Sequence, residues 1–450
     1  MLECRMQKRR SANKKLYLIY RNYFLLILLF FLFFILGAFS SLIEHKGVSY
    51  VPRAIYKVQN FFLQNGPPEL KKYSFIVRGS SRYEFKLDSQ FKNLGQFQIA
   101  VDSKSNLYAL ERQTGELWYF EDSNLSKGKL IRNIYQDMTL TASQHINSPP
   151  LAMDLHWAFN KLFLSVVVET KKCQYLSLIY LTTTLQENTP EKFFDTPCVN
   201  DFQNTIMWGG RFTSNTEKLF ISIGEQRFDR SGFPKVNLSI NNKLPINVFG
   251  TTLEFDPTLK SWEVYATGMR NAQGLFWDFD NKLLFEAEHG PSGGDEVNIL
   301  EKGKNYGWPM ETYGKPYNTK FPSGKAELND AKDPRIWVDN ELAKFGAKSG
   351  DHQKFSKPLF SWIPGVGAGN LVRVSQESPL IDWRGDLLVA HMSGQALHRL
   401  KLYGDKVVLD EKITVNERIR DFIVDDKGFI ILALDSGNLI KLSTYDSVRK

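Results

Sequence analysis

The chain has 450 residues, 42% of them hydrophobic, enough for one large all-β domain or two or three ordinary domains. A formal charge of +8 would suit a nucleic-acid partner, but residues 1–23 hold seven Lys/Arg against one acid, Glu3, and carry +6 of it. The other 427 residues carry only +2 and contain no basic run, which argues against binding to a phosphate backbone.

The basic cluster (Arg5, Lys8, Arg9, Arg10, Lys14, Lys15, Arg21) runs into 21 residues, 23–43, that contain no charge. At about 1.5 Å per residue such a helix crosses the hydrocarbon of a bilayer. The expectation is a transmembrane anchor over 23–43, a cytoplasmic segment over 1–22 and everything after Ile43 on the periplasmic or extracellular side. The small residues at Ala38-Phe39-Ser40 also permit a cleaved signal peptide, and either reading exports the rest of the chain. On the exported side Cys173 and Cys198 are free to bridge or to stay thiols, and no Cys/His spacing suggests zinc.

Residues 44–94, with Pro52, Gly66, Pro67 and Pro68, read as a stalk and entry segment. From 95 onward a unit recurs in which a short alternating strand meets an Asp- or Asn-rich turn and then a more apolar strand. The copies are IAVDSKSNLYALE from Ile99, LAMDLHWAFNKLFLSVV from Leu151, GGRFTSNTEKLFISIG from Gly209, GLFWDFDNKLLFEAE from Gly274, DWRGDLLVAH from Asp382 and RDFIVDDKGFIILALD from Arg420. Six hairpins spaced this way predict propeller blades or a similar array over 95–450. The one wide gap, from about Lys302 to Gly369, reads as a long loop, functional or disordered.

Two adjacent segments are more specific: ATGMRNAQGLFWD from Ala266 and EHGPSGGDEVNILEKGKNYGWP from Glu288. With GGRF at Gly209, ISIGEQ at Ile221, SWIPGVGAGNL at Ser361 and ERIRDF at Glu417, they resemble the soluble quinoprotein glucose dehydrogenase and aldose sugar dehydrogenase family, in order over about 95–443. The resemblance implies a six-bladed β-propeller holding pyrroloquinoline quinone (PQQ) and Ca²⁺ at its mouth. It matches Arg270 and Asn271 to the pair that contacts the quinone, Gly290 and Pro291 to the carbonyl ligands of Ca²⁺, and Arg418 and Arg420 to the arginines facing PQQ carboxylates. Those residue types suit the task, because a guanidinium fork matches a carboxylate and carbonyl oxygens suit a hard cation. Asp295, Glu296 and Asn298 read as turn residues, and Tyr306 and Trp308 as packing.

The pattern also breaks. Where the family places the His that deprotonates the sugar, this chain has Met207, and a cofactor-facing cation is Ser393. His391 and Glu225 are the candidate replacement bases. Two functions stay open. One is a sugar dehydrogenase anchored near a membrane electron acceptor. The other is a non-catalytic propeller that binds a glycan or a protein.

Overall fold

The computed structural model describes residues 75–76, 84–92 and 95–444, apart from 139–149, 183–188, 200–206, 226–247, 309–310, 315–354 and positions 172, 260, 292 and 426. The expected anchor at 23–43 lies outside these residues. Among the described ones no helix is long and apolar enough to cross a membrane.

Six antiparallel sheets form the blades. Blade 1 runs through Phe97–Val101, Leu107–Glu111, Glu116–Phe120 and Lys129–Asn133. Blades 2 to 5 repeat this order from the inner strands Leu151–Ala158, Gly209–Ser214, Ala272–Asp278 and Ala368–Arg373. Blade 6 holds Ile419–Val424, Ile430–Leu434 and Asn438–Thr444, and takes its next strand from ahead of blade 1, where Glu84–Lys92 pairs with Asn438–Thr444. The six inner strands neighbour one another in a closed ring, blade 6 meeting blade 1. Ladder hydrogen bonds between the strand that precedes blade 1 and the last strand of blade 6 therefore lock the ring, and the propeller reaches back into the expected entry segment.

The second strand of each blade is covered on both faces by neighbouring blades, which is why Leu219–Ile223 and Ile430–Leu434 are buried along their whole length. Six hydrophobic clusters result, one in each seam. Tyr108 stacks on Trp157 between blades 1 and 2, and Phe220 on Trp277 between blades 3 and 4. Each large side chain so buried stabilises the fold by roughly 1.5–3 kcal/mol.

The ring is also fastened through its centre. The buried Arg211 guanidinium pairs with Asp154 at 3.0 Å and Asp421 at 2.6 Å and donates to Gln98 Oε1 at 2.7 Å, joining inner strands of blades 3, 2, 6 and 1. Asn370 of blade 5 donates to the same Asp421 carboxylate. Two charged partners, with hydrogen bonds to Gln98 and the Met153 carbonyl, offset the desolvation of this arginine.

Two expectations are corrected. The fifth repeat was placed at Asp382, but Ile381–Trp383 is a 3₁₀ turn, and the inner strand is Ala368–Arg373, paired with Leu387–His391. The gap from Lys302 to Gly369 is not wholly loop, because Phe360–Trp362 closes blade 4 against Asp295–Leu300. Cys173 and Cys198, whose state the sequence left open, form a disulfide with Cα atoms 5.6 Å apart.

Candidate functional site

In an up-and-down blade the start of the inner strand and the end of the second strand lie on the same face of the ring. Met207, Arg270, Asn271 and Arg418 stand just before inner strands, whereas Glu225, Glu288–Gly290, Met392 and Asp435 stand at or just after the ends of second strands. The topology thus gathers all of them at one mouth, although they span more than 200 residues of sequence.

Blade 4 supplies the centre of the site. The Glu288 carboxylate accepts from the backbone N–H of Arg270 at 2.5 Å and of Asn271 at 3.2 Å, fixing the turn that presents them. The Arg270 side chain donates to the carbonyls of His289 at 2.9 Å and Gly290 at 3.0 Å. Its guanidinium also lies 3.7 Å from Met207 Sδ and stacks over the Trp308 ring at 5.3 Å. Gly224 must be glycine here, since a Cβ would fall 1.8 Å from the Met207 carbonyl oxygen.

Asp295 acts as a staple. One carboxylate oxygen accepts from Gly290 N–H at 3.0 Å, and the other from Val366, Gly367 and Ala368 N–H, tying the Glu288–Pro291 turn to blade 5. That agrees with the turn role expected of it. Glu296 and Asn298, expected in the same turn, instead lie in the strand Asp295–Leu300 and are buried. There they face Glu288 and Glu286, and Asn298 donates to Glu286 Oε2 at 2.9 Å.

Blade 6 supplies the second part. Arg418 and Arg420, two positions apart, converge on a single carboxylate: Arg418 Nε donates to Asp435 Oδ2 at 2.7 Å and Arg420 Nε to Oδ1 at 2.9 Å. Both guanidiniums also reach Met392 Sδ, at 3.9 and 3.2 Å. Arg112 of blade 1 adds a further cation held by neutral acceptors, namely the Ala152 carbonyl, Gln96 Oε1 and Met153 Sδ.

Burial and this accumulation of charge perturb the local ionisations. Arg112 is lowered to about 10, first by burial and then by Arg420. Arg420 is lowered by burial, with Arg418 and Arg211 adding to the effect. His289 is lowered to about 4 by burial, and Arg270, Arg418 and Arg420 all oppose its protonation. Beneath them burial raises the Glu288 carboxyl to about 7 and pushes Glu286 and Glu296 well up. The mouth therefore combines several guanidiniums with a neutral imidazole and buried carboxyls.

The two candidate bases part company. The Glu225 backbone is at the mouth, its N–H donating to the Arg270 carbonyl at 2.9 Å, and its side chain is buried. His391 is fully buried in the seam between blades 4 and 5. Its ring stacks on His398 at 3.9 Å and meets Trp362 edge-on at 4.7 Å. Its environment is that of a packing histidine. Tyr306 is buried and bonded to the Ile299 carbonyl, as packing requires, while Trp308 reaches the site after all.

Sequence reading overlooked Asp435, Met392, Arg112 and Glu288. Asp435 sits in an Asp-Ser-Gly turn and Glu288 inside a quoted motif, so turn chemistry and motif membership masked them. Only pairing across the ring marks Arg112 and Met392.

These observations define a six-bladed β-propeller with an arginine-rich mouth. Residues 189–441, more than half of the chain, match the Glucose / Sorbosone dehydrogenase family, and the chain belongs to that family. Aldose sugar dehydrogenase YliI of Escherichia coli is 28% identical over 253 residues, which cover 52% of this chain and 60% of that protein. Quinoprotein glucose dehydrogenase B of Acinetobacter calcoaceticus is 24% identical over 236 residues, covering 44% of this chain and 48% of that one. These matches thus span about half of each curated relative. In three dimensions the apo-form of the soluble E. coli aldose sugar dehydrogenase superposes with a TM-score of 0.60 at 20% identity, covering 80% of this chain and 99% of that one. The PQQ-bound aldose sugar dehydrogenase of Streptomyces coelicolor gives 0.53 at 16% identity, covering 81% and 98%. At such identities these two structures speak for the fold.

Proposed function

We propose that the chain is a membrane-anchored, extracytoplasmic dehydrogenase-like propeller that receives PQQ at its mouth and oxidises a sugar hydroxyl. The observation that carries this reading is the convergence of Arg270, Arg418 and Arg420 from two blades on one mouth, with Arg112 behind them. Such a cluster suits a tricarboxylate, since each guanidinium offers a planar, permanently charged fork. Family membership and the sugar dehydrogenases among the relatives support the reaction class. When bound, PQQ supplies a two-electron acceptor for hydride leaving the sugar carbon.

The chain's own residues then divide the work. Arg418 and Arg420 would hold carboxylates, while Arg270 and Asn271 would orient the quinone edge. Glu225, bonded through its backbone to Arg270, would be the carboxylate to take a hydroxyl proton once its buried oxygens turn toward the mouth. Ca²⁺ fits less well. The Gly290 carbonyl is engaged by the Arg270 guanidinium, so a cation on Gly290 and Pro291 would require Arg270 to turn away.

The Cys173–Cys198 disulfide supports an oxidising compartment, in keeping with the order of basic and apolar residues at the N-terminus. That arrangement would hold the propeller close to an electron acceptor in the membrane.

A second reading, a propeller that recognises a glycan or protein without chemistry, is favoured by Met207. A thioether stands against Arg270 where a base is needed, and it accepts no proton. Calorimetric titration of PQQ into the full chain, with and without Ca²⁺, separates the two. Saturable PQQ binding followed by sugar-dependent dye reduction supports the dehydrogenase. Absence of PQQ binding under both conditions leaves recognition.

A further inference from the structure

The arginine pair of blade 6 already holds a carboxylate. Asp435 Oδ1 lies 2.7 Å from Arg420 Nη2 and 2.9 Å from its Nε, and Oδ2 lies 2.7 Å from Arg418 Nε. One carboxylate bridging two guanidiniums is the arrangement an anionic ligand would adopt with the same pair. The turn is set for it, since Asp435 N–H donates to the Arg418 carbonyl at 3.0 Å and Ser436 N–H to Glu417 Oε1 at 2.9 Å.

Three further features mark this contact as displaceable. The side chains of Arg418 and Asp435 keep 35% and 19% of their exposure, so the pair opens by rotating a short side chain and leaves the sheet intact. Other donors of both guanidiniums face Met392 Sδ, and a thioether is a weak acceptor that yields to oxygen. Arg112, held by neutral acceptors, also adds positive charge beside Arg420, so the pair remains attractive to an anion even while neutralised in part.

We propose that Asp435 is a resident stand-in for a ligand carboxylate: an anionic ligand takes the Arg418–Arg420 pair by displacing it, and Asp435 sets how tightly that ligand binds. This rests on the reading of the mouth as a polycarboxylate site. Asp435 thereby keeps the arginines arranged in the free protein and discriminates against weak or monovalent anions, which cannot match a bridging carboxylate held on the same chain.

The test compares the full wild-type chain with Asp435→Asn and with Asp435→Glu, titrating PQQ and, separately, citrate, a tricarboxylate with no quinone. Calorimetric dissociation constants and the thermal midpoint with and without anion are the readouts. The expected result is that Asp435→Asn binds at least about tenfold tighter than wild type and gains more in midpoint on adding anion, while Asp435→Glu follows the wild type. Tightening for citrate with no PQQ binding to any variant keeps this inference and removes the quinone reading. Equal or weaker affinity in Asp435→Asn for whichever anion binds overturns it, as does failure of both anions to bind. Should Asp435→Asn fail to fold, the wild type decides. At saturating anion the carboxyl ¹³C resonance of Asp435 shifts if it is displaced, and an unmoved resonance overturns the proposal.

Discussion

The guanidinium of Arg270 lies 3.7 Å from the sulfur of Met207. Arg270 is tied to the His289 and Gly290 carbonyls and stands over Trp308, so this contact puts a thioether, with no proton affinity, into the wall of the mouth. On the dehydrogenase reading, this is the position at which the family resemblance expects a base.

Met207→His places an imidazole beside Arg270 in a space already shaped for a long side chain. If the mouth holds PQQ, sugar-dependent dye reduction rises on the order of 10²-fold or more, the contribution typical of a positioned base. A Met207→His protein that binds PQQ and shows no gain would mean that the base is not what limits this chain.

Arg211 fastens the centre of the ring, and Asp421 is its partner at 2.6 Å. Asp421→Asn removes one of two charges that offset a buried guanidinium, so the folded state loses about 3–5 kcal/mol. Urea midpoints of the two proteins measure it. A difference under about 1 kcal/mol would show that Asp154 and Gln98 suffice.

The Cys173–Cys198 bridge closes a loop across a sequence separation of 25. Opening it restores freedom mainly to the unfolded chain, and the expected loss is about 3 kcal/mol. Thermal midpoints with and without reductant test this, a midpoint unchanged after confirmed reduction being the adverse result.

His156 sits under blade 3, its Nε2 3.0 Å from Ser214 Oγ, and burial, with Arg211 adding, lowers it to about 4. Its folded value lies below the unfolded one of about 6.5, so the unfolded chain binds the extra proton between the two. The stability it contributes is complete above about pH 6.5 and is lost as pH falls towards 4. His156→Gln, which keeps a hydrogen-bonding group, removes about 3 kcal/mol of that acid sensitivity. Parallel pH–stability curves for the two proteins would contradict the assignment.

The blades were legible in the residue pattern, because a strand half or wholly buried between sheets needs period-2 or continuous apolar residues, and the Asp/Asn/Gly turns that end it are local chemistry. The resemblance carried by the runs around them singled out Arg270, Asn271, Arg418 and Arg420 as candidates. Even there the fifth hairpin went astray, since Ala368–Arg373 begins in a Gly-rich stretch that reads as loop. The tertiary structure alone decided what those arginines meet. Asp435, Met392 and Met207 reach them from other strands and other blades, and a side-chain contact made across a ring closure leaves no local period to read. The same holds for the two candidate bases, alike in sequence as single titratable residues near a strand end. Ring closure put Glu225 beside Arg270 and turned His391 into a seam, where burial keeps it neutral.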